Sequence, residues 1–312
     1  MLAIVSSFLK IYEESIMDKE EVLRKLQELP ELQDYEVGCI DNPTRLSTDA
    51  KWGITLRKKG DALCVMLYDD NFENEKEVPD IIHAAINEQK RRSASVMATI
   101  ERSSADFLKS LFIEVYNYEH VKEKLNDLVY YQVQDVVVVL YSLIEKTGDG
   151  ILSMPVNRNY LDLLFKSEVP KDSDLFMIAK GNTVELLGLK HVTMDKLLEK
   201  LAFQVAEDAE FLSGFEPLGT ELLVITNDGQ THGAALIFIE EVQKFLFGLY
   251  GPFYVIPSSV HETLLITGES YRNFSVDEFT GYIAEVNNEV LVPADILSYH
   301  VFHYDGNELN AY

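Results

Sequence analysis

Hydrophobic positions recur along the chain in two rhythms, one of period 3.6 and one of period 2. Val22, Leu23 and Leu26 fall at helical spacing within Asp18 to Leu29, with Asp18 as a cap, Glu20 and Glu21 in the first turn, and Pro30 as the stop. Tyr35 to Ile40, Trp52 to Arg57 and Leu63 to Tyr68 read as strands, the last after a Lys59-Gly60-Asp61 turn. Glu77 to Arg92 predicts a second helix. Val78-Pro79 opens it, Ile81, Ile82, Ala85 and Ile86 form its stripe, and Lys90, Arg91 and Arg92 suit its C-terminal dipole. Arg91 to Ser104 is the most linker-like segment, which places a boundary between residues 93 and 120. Beyond it, Phe107 to Val115 is apolar and Tyr118 to Leu128 has helical periodicity.

Two later stretches echo each other. The first has Ile151 to Pro155, then Leu163-Leu164, then Ile178-Ala179, Asn182 and Leu186. The second has Phe253 to Pro257, then Leu265-Ile266, then Ile283-Ala284, Asn287 and Leu291. In the first copy Asp135 to Leu140 predicts a buried central strand, because it is continuous and β-branched. A turn at Thr147 to Gly150 leads to a partner strand at Ile151 to Pro155, and Tyr160 to Phe165 is expected as the next strand. A helix opened by Asp172-Ser173-Asp174 is expected to end at Asn182, and one opened by Ser275 and Glu278 at Asn287, since Asn tolerates the left-handed cap conformation. Met194 to Phe211 predicts a helix between the copies. The second copy has strands at Glu221 to Ile225, Phe253 to Pro257 and Glu262 to Ile266, an apolar helix at Ala234 to Gly248, and a last strand at Leu297 to Tyr304.

These elements predict an α+β protein of mostly antiparallel sheets with helices on their faces, pseudo-duplicated in its C-terminal two thirds. The expected domains are 1–105, 106–200 and 201–312, the last two forming one domain.

Charge changes the picture most. The chain of 312 residues carries 52 acidic and 27 basic side chains, a net charge of −25. From Leu201 onward there are 17 acidic residues against Lys244 and Arg272 alone. Phosphate recognition needs clustered Lys and Arg, so direct nucleic-acid binding and anionic membranes are disfavoured. A solubility surface is the simpler reading of this acidity; the sharper one is a face that docks on a basic protein partner, with nucleic-acid mimicry as a special case. The loop at residues 69–77 is acid-rich but lacks the spacing of a calcium-binding EF-hand. Only Cys39 and Cys64 are present, each in an apolar run and without a CxxC, which fits core positions in a reducing cytoplasm. Met1 to Leu9 is apolar but lacks the basic flank of a signal peptide, and no run reaches the length of a membrane span.

The densest polar cluster is Pro257-Ser258-Ser259-Val260-His261-Glu262. Serine, histidine and glutamate together are the components of a hydrolase triad. On an extended strand Ser259 and His261 share one face while Ser258 and Glu262 share the other, so Glu262 would not orient His261; a turn would loosen this objection. Asn227 and Thr231-His232-Gly233 precede a helix, where free backbone N–H groups are able to hold an anion. A structural turn is the simpler reading of both segments. His300 and His303 are expected on opposite faces of a strand, and neither a metal nor a cofactor is implied.

Leu223 to Asn227, His232 to Ala235, Val255 to Glu262, Glu285 to Asn287 and Leu297-Ser298 through Tyr304-Asp305 resemble an uncharacterised bacterial family, mostly of gut clostridia and their relatives, known only as a domain of unknown function, and Asp135 to Val139 and Ile178 to Thr183 fit its middle part. The resemblance covers roughly residues 110 to 305, with Pro-Ser-Ser-Val-His-Glu as its most specific string. A fainter similarity to YtpQ-like proteins lies in the helix carrying Ala-x-x-Asn. The family's Pro-His is missing between Leu125 and Gln134, and the first hairpin is short. The resemblance implies a bacterial cytoplasmic protein and brings no activity with it.

Two functions therefore compete. One is a non-enzymatic binding or regulatory protein with an acidic interaction surface. The other is a hydrolase or small-molecule enzyme using Ser258 or Ser259, His261 and Glu262. Because the serine–histidine cluster and the Thr231-His232-Gly233 helix start have no counterpart in the first copy, a specific site is expected there.

Overall fold

The computed structural model describes residues 19–41, 50–59, 64–68, 78–87, 102–147, 150–166, 168–193, 222–289, 291 and 293–312. They fall into two compact units, 1–102 and 103–312. The leader expected at 1–9, the acidic loop at 69–77, most of the linker at 91–104, the turn tip at 148–149 and the helix at 194–211 lie outside the described residues.

In the first unit, helix α1 (Lys19–Gln27) stops at Pro30, which starts a single 3-10 turn. Strands β1 (Tyr35–Asp41), β2 (Trp52–Lys58) and β3 (Cys64–Tyr68) form an antiparallel sheet in that order. Helix α2 spans 78–87. Its stripe residues Ile82, Ala85 and Ile86 join Val22, Leu26, Leu32, Ile54 and Leu56 in one core, because helical and strand periods each present an apolar face. Cys39 packs half-buried against this core.

The second unit opens with helix α3 (Ser104–Lys109), capped by the Ser103 hydroxyl, which accepts from the Asp106 N–H. Strand β4 (Leu111–Asn117) is buried throughout. The helix expected over 118–128 is one α turn, α4 (Tyr118–Val121), followed by one 3-10 turn at Lys122–Lys124. Strands β5 (Tyr130–Val133), β6 (Val136–Thr147) and β7 (Gly150–Pro155) follow. The long β6 is the axis of a four-stranded sheet. β4 pairs with one edge, while β5 and then β7 share the other, the first at Val136–Val139 and the second at Tyr141–Thr147.

Tyr160 to Phe165 is not a strand. It lies in helix α5 (Arg158–Phe165), started by the Asn157 side chain, which accepts from the Asn159 N–H. A short leucine-rich run fits both periods, and here the cap decides. Phe107 fixes the helix by meeting Tyr160 and Phe165 edge-on, with ring centroids 5.6 and 5.9 Å apart.

Helix α6 (Asp172–Leu187) continues past Asn182 and ends at Gly188, whose φ of +79° supplies the left-handed stop. A side chain at Gly188 would collide with Asp228. Asn182 is therefore no cap; it donates to Leu108 O at 2.8 Å. One position on, the Thr183 hydroxyl accepts from the Ile113 N–H at 3.1 Å. Helix α6 thus covers the outer edge of β4, which would otherwise present unpaired backbone groups.

A six-stranded antiparallel sheet completes the unit, in the order β13-β12-β10-β11-β9-β8. Its strands are β8 (Lys190–Thr193), β9 (Leu222–Thr226), β10 (Phe253–Ile256), β11 (Thr263–Ile266), β12 (Phe302–Tyr304) and β13 (Leu309–Ala311). The helix expected over 234–248 breaks in two at Ile239, whose backbone is extended. A buried 3-10 segment, Gly233–Phe238, precedes helix α7 (Glu240–Tyr250). After β11 come α8 (Gly268–Arg272) and α9 (Val276–Glu289). Asn287 lies inside α9 and donates to Ser298 O at 3.0 Å, so it too is a tether rather than a cap. The last predicted strand shrinks to β12, because residues 297–300 instead clamp the β5–β6 hairpin tip. Ser298 Oγ donates to Asp135 Oδ1 at 2.6 Å, and the Tyr299 N–H donates to Asp135 Oδ2 at 3.0 Å.

The two echoing stretches thus share a proline-ended strand and an Asn-bearing helix, but they pair differently. β7 lies against β6, whereas β10 lies between β11 and β12.

Candidate functional site

The two segments singled out in the sequence come together. The 3-10 segment packs against β4, β9 and β11, and it carries the loop 227–233 onto the loop 257–262. Gly233 N–H donates to His261 O at 3.0 Å, Ala234 N–H to Val260 O at 3.3 Å, and Thr226 Oγ to His261 O at 2.9 Å. A Cβ at Gly233 would stand 2.4 Å from Thr226 Oγ1, 2.6 Å from Asn227 N and 2.7 Å from His261 O. Only glycine allows this approach. The N–H groups offered to an anion at this helix start are consumed by carbonyls of the facing loop. The buried Asn227 side chain folds its own loop, donating to Thr231 O at 2.7 Å and accepting from the Thr231 N–H at 3.3 Å.

Residues 257–262 form a turn, so the extended-strand objection to a triad does not apply here. Among the described residues, the His261 ring nevertheless hydrogen-bonds no serine. Its Nδ1 accepts from the His232 N–H at 3.2 Å. That nitrogen then carries no proton, so the proton sits on Nε2, which faces Asp295 Oδ1 at 3.3 Å. The Ser259 hydroxyl accepts from the His261 backbone N–H at 3.1 Å, and the Ser259 N–H donates to Glu262 O at 3.2 Å. These are turn-forming bonds. Ser258 and Glu262 are half-buried at the loop's ends.

Behind the loops lies a polar group that the sequence reading missed. Glu114 is 4% exposed on β4, two residues from Tyr116 and on the same face. Tyr116 Oη donates to Glu114 Oε2 and lies 3.0 Å from Tyr141 Oη. Burial, then the Glu114 charge, holds the Tyr116 phenol well above its ordinary range, so it stays a proton donor. His232, in the left-handed conformation at φ 55°, places Nδ1 3.7 Å from Glu114 Oε2, in ion-pair range without a hydrogen bond. Its ring meets those of Tyr116 and His261 at 5.7 and 5.3 Å. Burying a carboxylate costs several kcal/mol. The phenol and the nearby imidazole offset that cost. The one acidic residue inside the apolar run 107–115 was the available signal.

His300 and His303 separate. His300 Nδ1 lies 3.2 Å from Asp135 Oδ2. His303 enters an aromatic stack with Tyr254 and Tyr271, and its Nε2 lies 2.9 Å from Tyr271 Oη. Burial pulls the His303 imidazole below its ordinary value. Among the described residues, no group of three or more His, Cys, Asp and Glu side chains is placed to hold a metal ion.

An open cleft of about 450 Å³ lies elsewhere on the same unit, lined by Tyr130, Tyr131, Phe176, Met177 and Lys180, with Asp172, Ser173, Glu240 and Glu241 beside them. Tyr131 and Phe176 meet edge-on at 4.7 Å, and Lys180 Nζ stands 5.4 Å from the Tyr131 ring centroid. Burial raises the Tyr131 phenol, against the pull of Lys180. Asp172 is held by Arg158 through two bonds of 2.9 and 2.6 Å, which lower its carboxyl below the usual range.

No helix among the described residues is long and apolar enough to cross a membrane. No curated protein and no solved structure matches the chain. The chain belongs to the family of unknown function DUF5688, whose model matches residues 17–306.

Proposed function

We propose that this member of the family is a non-enzymatic binding or regulatory protein whose acidic surface docks on a basic protein partner. The observation that carries the reading is the engagement of His261. A general base needs a nitrogen within reach of the proton it removes. Here one ring nitrogen accepts a backbone N–H and the other faces a carboxylate. The Ser–His–Glu string serves as a clasp between two loops.

Charge supports the choice of partner. With 17 acidic and two basic residues after position 200, the field of this part attracts cationic surfaces and speeds their encounter. The attraction weakens as salt shortens the Debye length.

Fluorescence anisotropy with labelled arginine-rich, lysine-rich and glutamate-rich peptides tests this. Binding of the basic peptides, lost in raised salt and absent for the acidic peptide, is the expected result. Equal binding of all three, or basic-peptide binding unchanged by salt, overturns the reading.

A further inference from the structure

We infer that the cleft lined by Tyr131, Phe176, Lys180 and Glu240 is an anchor pocket for an arginine side chain of the basic partner. The inference rests on the binding reading above and gives it a place.

Three elements meet at this cleft: β5, the first half of α6, and the first turn of α7. Each contributes a different chemistry. Strand β5 and α6 give an aromatic floor, in which the buried Phe176 meets the half-buried Tyr131 edge-on, and the face of such a ring attracts a cation. Lys180 already stands over that ring, so the cleft holds a positive charge supplied by the chain itself. Helix α7 gives Glu240 and Glu241, both exposed and, among the described residues, without a hydrogen bond or ion pair. Acidic residues suit a helix start. That role does not account for the aromatic floor they share a cleft with. The third acid, Asp172, is committed to Arg158.

A guanidinium fits this combination better than an ammonium does. It is planar, it stacks on aromatic faces, and its fork pairs with carboxylates. Its three-carbon stem would lie along Met177, which is 68% exposed at the cleft. Lys180 then acts as a resident competitor that an entering arginine displaces from the Tyr131 ring.

This assigns opposite signs to two substitutions. Removing the competitor in Lys180→Met tightens binding of an arginine probe, and neutralising the rim in Glu240→Gln/Glu241→Gln weakens it, each by about fivefold at low salt. An anion-binding cleft would lose its ligand in Lys180→Met instead.

The experiment is an NMR titration of the full chain with N-acetyl-arginine methylamide, its citrulline analogue and N-acetyl-glutamate, following ring signals of Tyr131 and Phe176. The expected result is that only the arginine compound moves these signals, tighter in Lys180→Met and weaker in the double Gln variant. Arginine-rich peptides that bind in a salt-sensitive way without moving the two rings overturn the pocket and leave the binding reading standing. No binding of any cationic probe overturns both. N-acetyl-glutamate binding that disappears in Lys180→Met shows an anion site and overturns the pocket.

Discussion

The His232–His261 clasp and the Tyr131–Lys180 cleft are built from similar residue types and end in opposite states. In the clasp, the backbone donors Gly233 N and Ala234 N and both His261 nitrogens are used within the chain, and Glu114 is sealed beneath Tyr116. In the cleft, aromatic side chains and three carboxylates, of which only Asp172 is paired among the described residues, through Arg158, border an open volume of about 450 Å³. Polar groups that satisfy one another hold structure together, whereas polar groups left facing a cavity are available for recognition. Residue identity does not separate the two cases; the inventory of partners does.

The sharpest way to break the comparison is Gly233→Ala. The added methyl meets backbone atoms at 2.6 and 2.7 Å, so the two loops must part. The expected loss is about 3 kcal/mol in denaturant unfolding followed by near-ultraviolet circular dichroism. Fluorescence of Trp52, the single tryptophan, reports the other unit as an internal reference. An unchanged midpoint would show that the loops are not clasped. Next in size is Tyr116→Phe, which strips the buried Glu114 of its donor and costs about 2 kcal/mol.

His261→Ala removes the acceptor for the His232 N–H and the partner of Asp295, at a cost of about 1–2 kcal/mol. Binding of the arginine probe at the cleft is expected to be unaffected. A loss of probe binding without loss of stability would reverse the assignment of the two regions.

The smallest effect concerns His303, an imidazole walled in by rings. Its folded value lies below its unfolded one, because burial disfavours the charged form. Between the two values the unfolded chain binds more protons. The stability it contributes is therefore complete above the unfolded value, near pH 6.5, and is lost as pH falls toward the folded value. Replacing it in His303→Phe should flatten the stability–pH profile across that window, measured by urea unfolding at a series of pH values.

Much of the scaffold was legible in the sequence. Continuous β-branched runs marked β6, alternation marked β2, and the stripe of Ile82, Ala85 and Ile86 marked α2. Helix α5 was misread because six leucine-rich residues carry no decisive period, and the deciding Asn157 cap lies before them. Asn182 and Asn287 were misread for a different reason. Their side chains answer to Leu108 O and Ser298 O, which are contacts of tertiary structure rather than local conformation. The sequence did locate both loops of the clasp, but not that they face each other. Glu114 stands 118 residues before His232, and no local pattern joins them. The cleft draws on β5, α6 and α7, so no motif announces it.

The Asp135 hairpin tip has a consequence for the order of assembly. Strands β4 to β7 are neighbours in sequence and are able to pair as soon as they are synthesised. The Asp135 carboxylate, however, waits for Ser298 and Tyr299, 163 and 164 residues later, and Asn117 waits for Leu297 O, 180 residues later. The first sheet of this unit therefore emerges from the ribosome unfinished, with an acid and an amide held open for a segment not yet made. Any truncation before residue 297 leaves the Asp135 carboxylate and the Asn117 amide without these partners.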